Sequence, residues 1–369
     1  MKKLQLLLML VICTVTAFAQ LDLPASGNNT RAMISEEVGI TSITIKYSRP
    51  DVNKREGKIW GDGNLVTYGF STQNFITNAN TSPWRAGANE NTIITFEHDV
   101  KIEGQPLKAG TYGLFMAMGA DNVTVIFSNQ SDAWGSFYYD EKYDALRVNV
   151  KPAALDKSVE WLKFEFIEQK EKSCTIAMQW EKVSVPFKVD VDVDNIVLAR
   201  IREELTSRKG FVPALLLTAA QYCFNKNINL EEALLWSKRA IDGQGGQKTY
   251  ITLRNLATAY EKLKRIPEAD STMNEALLIA TANQYTAYGR NLIAQKRTDK
   301  ALEVFTASQK RYADGFGVNN GLMYGWSAKG DYKKAMVFAE KAMAQAPNEA
   351  AKKQLEDFIN KLKENKDIN

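Results

Sequence analysis

Apolar residues alternate with polar ones over much of the first half of the chain, from about residue 41 to residue 193. Between Val183 and Val193, for example, six apolar residues occupy every second place. A period of two puts apolar side chains on one face of a strand and polar ones on the other, as in antiparallel sheets. Turn residues such as Glu103-Gly104 separate the runs. The pattern predicts an all-β domain over residues 20–194, built as an antiparallel β-sandwich or a barrel-like sheet.

Beyond about residue 195 the pattern changes to a helical period with a longer repeat on top of it. Small residues recur at nearly even spacing, and a second small residue follows each of them seven places later. These positions are Ala233, Ala269, Ala301 and Ala335, followed by Ala240, Ala276, Ser308 and Ala342. A repeat of roughly 34 residues is typical of stacked pairs of helices. The pattern resembles tetratricopeptide repeats from about Phe211 to Asn348, and predicts an α-solenoid over residues 195–369 with a capping helix from Glu349 to Asn365.

Residues 1–19 have the pattern of a signal peptide. Lys2 and Lys3 precede an apolar run from Leu4 to Val15, and Ala17-Phe18-Ala19 then provides small residues at the positions that a signal peptidase reads. We therefore expect cleavage before Gln20 and a periplasmic or secreted protein. The apolar run is shorter than the ~20 residues that span a bilayer, so no membrane span is expected after cleavage.

Composition and charge indicate whether a lipid anchor, a nucleic-acid partner or a disulfide is to be expected. Large, branched Ile12 precedes Cys13, whereas lipoprotein processing needs a small residue there, so we expect no lipid anchor. Loss of two lysines with the signal peptide lowers the formal net charge from +4 to +2, which disfavours a nucleic-acid partner. Cys174 and Cys223 fall in different halves of the chain, so two buried thiols are expected rather than a disulfide.

Three stretches of the predicted sheet domain are unusually rich in glycine, aromatic and charged residues. They are Tyr47-Ser48-Arg49-Pro50, Trp84-Arg85-Ala86-Gly87-Ala88-Asn89-Glu90, and Ala109-Gly110-Thr111-Tyr112-Gly113-Leu114-Phe115 followed by Asp132-Ala133-Trp134-Gly135. At these residues, over about residues 38–152, the chain resembles a family of secreted bacterial proteins known as domain of unknown function 2911. The resemblance implies helical repeats behind the same domain and no known activity. The chain departs from the family in a longer segment between Leu65 and Trp84.

The charged residues of these stretches allow two interpretations. In the structural one, an arginine pairs with Glu90 while Asn89 fixes a turn, so that the loop is held against the sheet. In the functional one, Arg49, Arg85, Asn89 and Glu90 line a pocket for an anionic or carbohydrate-like ligand. Aromatic faces for such a ligand would come from Trp84, Trp134 and Tyr138.

Catalytic machinery is poorly represented in the sequence. His98 is the sole histidine, and the chain has no Gly-x-Ser-x-Gly nucleophile elbow. One histidine with two separated cysteines cannot form a zinc site, so neither a metal nor a cofactor is predicted. Carboxylates alone can hydrolyse glycosidic bonds, and Glu90 with Asp140 is the pair to test for that chemistry.

The function expected from these patterns is that of an exported interaction protein whose repeats bind a protein or peptide partner. Candidate partner-binding residues on the first helices of the repeats are Tyr285, Tyr288, Asn291, Asn319 and Asn320. One alternative is that the repeats pack only on the sheet domain or on a second copy of the chain. Another is a glycan- or anion-binding sheet domain, even a hydrolytic one, with the repeats as an accessory.

Overall fold

The computed structural model describes Gly27 and residues 29–71 and 81–369. The predicted signal peptide and its cleavage site lie outside these residues. The chain divides between Arg200 and Ile201 into two compact units, and the sequence boundary at residues 194 and 195 falls inside a helix that crosses this division. No helix in the described part of the chain is both long and apolar enough to cross a membrane.

The first unit contains two antiparallel sheets, as predicted. The six-stranded sheet has the order β1-β2-β3-β6-β7-β8, and the four-stranded sheet has the order β5-β4-β10-β9. The strands are β1 (Thr30–Val38), β2 (Thr41–Arg49), β3 (Ile93–Phe96), β4 (Val100–Ile102), β5 (Gln105–Leu107), β6 (Gly110–Ala117), β7 (Val123–Ser128), β8 (Asp144–Val150), β9 (Ala153–Lys170) and β10 (Ser173–Val191).

The buried faces of the two sheets form one core. Phe127 on β7 meets Phe187 on β10 edge to face, with ring centroids 5.9 Å apart, and Tyr47 on β2 meets Phe164 on β9 at 4.9 Å. Edge-to-face rings at these distances are a favourable aromatic geometry. These contacts explain the alternating pattern, because every second residue of each strand faces the opposite sheet.

Strand β10 shows how the sheet accommodates a proline. Pro186 predicts either an edge strand or a bulge, because it cannot donate a ladder hydrogen bond. The strand is not an edge: it pairs with β9 as far as Ser184 and with β4 from Val189, so Pro186 lies between the two paired stretches. Register shifts flank Glu181, whose φ is 51°. The ladder is therefore interrupted just before the proline.

The second unit is a helical repeat array, also as predicted. After α1 (Val193–Glu204), four helix pairs and a final helix follow in the described chain. They are α2 (Pro213–Lys226) with α3 (Leu230–Asp242), α4 (Tyr250–Lys262) with α5 (Ile266–Leu277), α6 (Ala282–Ala294) with α7 (Thr298–Tyr312), α8 (Phe316–Ala328) with α9 (Tyr332–Ala344), and α10 (Glu349–Lys363). All eight small residues of the repeat register are at most 1% exposed, which confirms the spacing argument.

The ring of Phe305, on α7, fills a space that three glycines leave open. An added Cβ would lie 2.2 Å from this ring at Gly289 on α6, and 2.8 Å and 2.7 Å from it at Gly321 and Gly325 on α8. Phe305 itself is 1% exposed. Helices α6 and α8 can flank the ring this closely only because these positions carry no side chain.

Both cysteines of the described chain are free and buried, in agreement with the sequence-based expectation. Burial, together with the negative charges of Glu36 and Asp190, raises the pKa of Cys174 to about 12. Burial and the charge of Glu232 raise the pKa of Cys223 to about 11. Both thiols are therefore protonated at neutral pH.

We predict that Gly289→Ala destabilises the array, because its new methyl group collides with the Phe305 ring. The expected loss is about 1–3 kcal/mol in the free energy of unfolding, measured by urea denaturation followed by circular dichroism. Asn291→Ala, at an exposed position of the same helix, is the control and should change this free energy by less than about 0.5 kcal/mol. Equal midpoints for Gly289→Ala and the unmodified protein would contradict the packing described for Phe305.

Candidate functional site

The loop between β2 and β3 contains four of the seven ligand-binding candidates of the sheet unit: Trp84, Arg85, Asn89 and Glu90. Trp84 is held at its backbone by two hydrogen bonds with Met116 of β6, at 3.0 Å and 2.8 Å. Its indole stacks on Trp180, with ring centroids 6.0 Å apart and planes inclined by 16°. Trp60 meets both rings edge to face at 5.5 Å. One face of Trp84 is therefore engaged in an aromatic cluster of the core.

Arg85 fixes the conformation of the residues that follow it. Its Nη1 donates a 2.7 Å hydrogen bond to the carbonyl oxygen of Asn89, across a turn in which Ala86 and Asn89 have φ values of 50° and 57°. The guanidinium lies over the Phe137 ring, 5.2 Å from its centroid. Burial lowers the pKa of Arg85 below its usual value. The side chain thus has structural contacts, yet it is a cation largely removed from water.

Glu90 pairs with an arginine that the sequence reasoning did not consider. Its Oε1 accepts a 2.5 Å hydrogen bond from Arg31 of β1, and its Oε2 accepts a 3.2 Å bond from the Ser48 hydroxyl. Partial burial opposes ionisation of Glu90, but these hydrogen bonds hold the pKa of its carboxyl below the usual value. An Arg–Glu pair was expected from the sequence, whereas its identity as Arg31–Glu90 could not be read there because β1 carries no distinctive motif.

Arg49, Arg85 and Glu90 do not line one pocket, although the functional interpretation of these residues requires that they do. Arg49 donates through Nε to the carbonyl oxygen of Leu162 at 2.8 Å, which ties β2 to β9. Arg85 and Asn89 line a depression of about 370 Å³, and Glu90 lines a different one of about 500 Å³ together with Arg31 and Ser48. Each of the three charged residues therefore holds a different part of the sheet unit: Arg49 joins two strands, and Arg85 and Glu90 hold the loop.

The remaining sheet-domain candidates are dispersed as well. Trp134 and Tyr138 are 50% and 48% exposed, and neither lines the two depressions. Asp140 caps the short 3-10 helix Glu141–Tyr143, and hydrogen bonds from the side chain and backbone of Lys142 lower the pKa of its carboxyl. Glu90 and Asp140 thus each have a cation as partner. His98 contacts the Thr41 hydroxyl at 3.1 Å, and the described residues contain no cluster suited to a metal ion.

Burial divides the five partner-binding candidates of the array. Tyr285 is 5% exposed and donates to the Leu277 carbonyl at 2.8 Å, and Tyr288 is 4% exposed. Asn319 is 1% exposed and donates to Asp314 and Gln345 at 2.6 Å and 2.8 Å. These three residues therefore stabilise the array and do not offer a surface to a partner. Asn291 is exposed and Asn320 half-buried, so both remain candidates.

The four first helices share a face that the sequence reasoning did not single out. The positions are counted back from the first alanine of each repeat, namely Ala233, Ala269, Ala301 and Ala335, by eighteen, fifteen and eleven places. Because the three positions in a helix are three and four places apart, they lie on one side of it. We call these twelve positions the first-helix face. They are Leu215, Thr218, Tyr222, Ile251, Arg254, Thr258, Asn283, Thr286, Arg290, Gly317, Asn320 and Tyr324. Ile251 is 65% exposed and Leu215 39%, although both are apolar. Thr286 and Tyr324 are buried, so the open part of the face consists of its other positions.

A segment of the chain itself lies against the C-terminal end of α8, next to this face. Ser327, one turn beyond Tyr324, donates to the carboxylate of Asp367 at 2.7 Å and accepts the backbone N–H of Ile368 at 3.2 Å. Asn369 donates through Nδ2 to the carbonyl oxygen of Tyr324 at 3.2 Å. Ile368 is only 7% exposed. The C-terminal end of α8 therefore holds a segment that combines an acidic and an apolar side chain.

The comparisons with known proteins agree with the description of the sheet unit. Residues 29–189 match a family model described as "Protein of unknown function (DUF2911)". This span covers nearly all of the ten strands, so the resemblance inferred from the sequence motifs is confirmed there. No protein with curated annotation matches the chain.

Two solved structures superpose on part of the chain at low identity. One described as "MamA MSR-1 C2" is 15% identical with a TM-score of 0.27, and the superposition covers 43% of this chain and 96% of that one. Another described as "MamA AMB-1 C2221" is 15% identical with a TM-score of 0.25, covering 41% and 91%. The description of the array therefore rests on its own helix pairs and repeat register.

We predict that Gly135→Ala disturbs the Arg85 loop. An added Cβ at Gly135 would lie 2.4 Å from Arg85 Nη1, and the residue has a φ of 60°. Gly57→Ala is the matched control, because Gly57 has a similar φ of 70° but nothing within 4 Å of the added Cβ. Backbone strain should cost each variant about 1 kcal/mol in unfolding free energy, and the collision about 1–2 kcal/mol more in Gly135→Ala. Equal losses in urea denaturation would show that Arg85 moves aside without cost.

Proposed function

We propose that the chain is an exported interaction protein whose helical array binds an extended partner segment containing acidic and apolar side chains. The sheet unit, in this proposal, is the platform that carries the array. The single observation that carries the proposal is the contact of Asp367–Asn369 with the C-terminal end of α8, next to the first-helix face. In that contact the Asp367 carboxylate and the main chain at Ile368 bind Ser327, Asn369 binds the Tyr324 carbonyl oxygen, and the Ile368 side chain is buried.

The charge of the first helices supports an acidic partner. Helices α2, α4, α6 and α8 contain four basic residues, Lys226, Arg254, Lys262 and Arg290, but a single acidic one, Glu261. Arg254 and Arg290 belong to the first-helix face, and the Arg290 guanidinium lies 4.4 Å from the centre of the Tyr324 ring. A positively charged face attracts an acidic segment and accelerates its association.

The exposed apolar side chains of the same face support partner contacts of a second kind. Leu215 and Ile251 lie at equivalent positions of α2 and α4, next to polar residues on the same helices. A mixed surface of this type can bury the apolar side chains of a partner while the arginines orient its carboxylates. Stacked helix pairs bind partners through such extended faces.

Export is the second part of the proposal and rests on the sequence alone. Lys2 and Lys3, the apolar run Leu4–Val15 and the small residues Ala17 and Ala19 have the order that a signal peptidase substrate requires. The partner would then be a protein of the cell envelope or its surroundings.

We predict that the array binds a labelled peptide in which aspartate and isoleucine alternate, and binds it in preference to the same peptide with lysine in place of aspartate. Arg254→Glu and Arg290→Glu should each weaken binding of the acidic peptide by about tenfold in fluorescence anisotropy, because each reverses a charge on the first-helix face. The effect should shrink as salt concentration rises.

Lys310→Glu is the control for these reversals, since Lys310 is an exposed residue of the second helix α7. It changes the net charge by the same amount and should alter the dissociation constant by less than about twofold. Equal effects of all three reversals would indicate non-specific attraction, and the absence of acidic-peptide binding at millimolar concentration would refute the proposed function.

We predict that the protein produced in a bacterium with its native N-terminus begins at Gln20 and is found outside the cytoplasm. Intact-mass measurement of the purified protein would give its first residue. Ala19→Glu is the control variant and should retain residues 1–19, because signal peptidases require a small residue at that position. A wild-type protein that keeps Met1 and stays in the cytoplasm would contradict export.

A further inference from the structure

The guanidinium of Arg85 is a half-buried cation without a carboxylate partner in the described parts of the chain. Glu90, five places further along, pairs instead with Arg31. Burial lowers the pKa of Arg85, so its charge is partly removed from water. A cation in this position is stabilised by an external anion.

A residue that lines the same depression has a polar group without a partner. Trp180 lines the depression with Arg85, is 1% exposed, and has an indole Nε1–H without an acceptor among the described residues. Buried N–H groups are nearly always hydrogen-bonded, so this orphan donor is unusual. Because its nitrogen is inaccessible to solvent, the donors available to a ligand are those of the guanidinium, which oxygen atoms that carry negative charge would satisfy.

The depression has the size and walls of a small-molecule site. Its volume is about 370 Å³, and apolar surface comes from Pro50, Leu65 and the indole of Trp84. Arg55 adds a second guanidinium, which is anchored by 3.0 Å and 2.8 Å hydrogen bonds to the carbonyl oxygens of Val52 and Asp51. Concave sites with apolar walls and a few fixed polar groups are typical ligand pockets.

We propose that this depression, the Arg85 pocket, binds the oxyanion of a small organic molecule, with a carboxylate or phosphate group on Arg85 and the body of the ligand against Trp84. Arginine binds both groups through paired N–H donors, and such charge-assisted hydrogen bonds are about twice as strong as neutral ones. Gly135 lets the guanidinium reach this position, because a side chain there would displace it. The pocket belongs to the sheet unit, so the inference does not depend on partner binding by the array.

The test compares ligands that differ only in their anionic group. Isothermal titration of the full chain would use glucose, glucuronate and glucose 1-phosphate as one set, and benzyl alcohol, benzoate and phenyl phosphate as another. At least one anion should bind about tenfold or more tightly than its neutral counterpart. Preference for glucuronate or benzoate identifies the bound anionic group as a carboxylate. Preference for glucose 1-phosphate or phenyl phosphate identifies it as a phosphate. Equal binding of neutral and anionic ligands, or no binding of any anion, overturns the proposal.

Variants connect this binding to the Arg85 pocket. Arg85→Gln should weaken binding of the preferred anion by about tenfold or more. Arg31→Gln, which removes an arginine from the other depression, should leave the dissociation constant of the anion unchanged. Arg85→Gln also removes the hydrogen bond to Asn89 and could disturb the loop. A second pair of variants, Leu65→Glu and Leu65→Gln, therefore keeps Arg85 and changes a half-exposed residue of the pocket wall. The introduced carboxylate should compete with the anion, and the neutral amide should not. Unchanged binding in both Arg85→Gln and Leu65→Glu would overturn the assignment.

Discussion

The close approach of neighbouring helices at small side chains is the constraint on which the array depends. The eight positions of the repeat register are essentially inaccessible to solvent, and each brings the second helix of a pair onto the first. The same principle recurs at the ring of Phe305, which Gly289 of its own pair and Gly321 and Gly325 of the next pair admit. Because packing is satisfied through these inner positions, the other side of α4 and α6 can carry arginines and an exposed isoleucine.

In the sheet unit, the arginines on and near the loop between β2 and β3 differ in the acceptors that satisfy them. Exposed Arg31 meets a carboxylate, Arg49 a carbonyl oxygen and Arg55 both kinds of acceptor. Arg85 meets one carbonyl oxygen and an aromatic face, neither of which carries a full negative charge. Neighbouring arginines therefore have different roles: three are held by acceptors of the chain, while Arg85 lacks a charged partner among the described residues.

The sequence predicted the elements well and the contacts between them poorly, for physical reasons. A strand period of two and a regular recurrence of small residues are local properties of the chain, so the sheets and helix pairs were accessible from spacing alone. The partner of Glu90 lies on β1, and the partner of the Trp84 indole lies on β10, far away along the sequence. Tyr285 and Tyr288 were assigned to a binding face although they are buried, because an error of one residue rotates a helical position by about 100°.

The two cysteines in the described part of the chain have a consequence for its chemical durability. Disulfide exchange and oxidation by peroxide both require the thiolate form. The raised pKa values of Cys174 and Cys223 leave only a very small fraction of either thiol ionised at pH 7. Both side chains are also buried. Neither thiol is therefore expected to form a disulfide or to be oxidised by peroxide while its unit stays folded, and both become reactive when it unfolds.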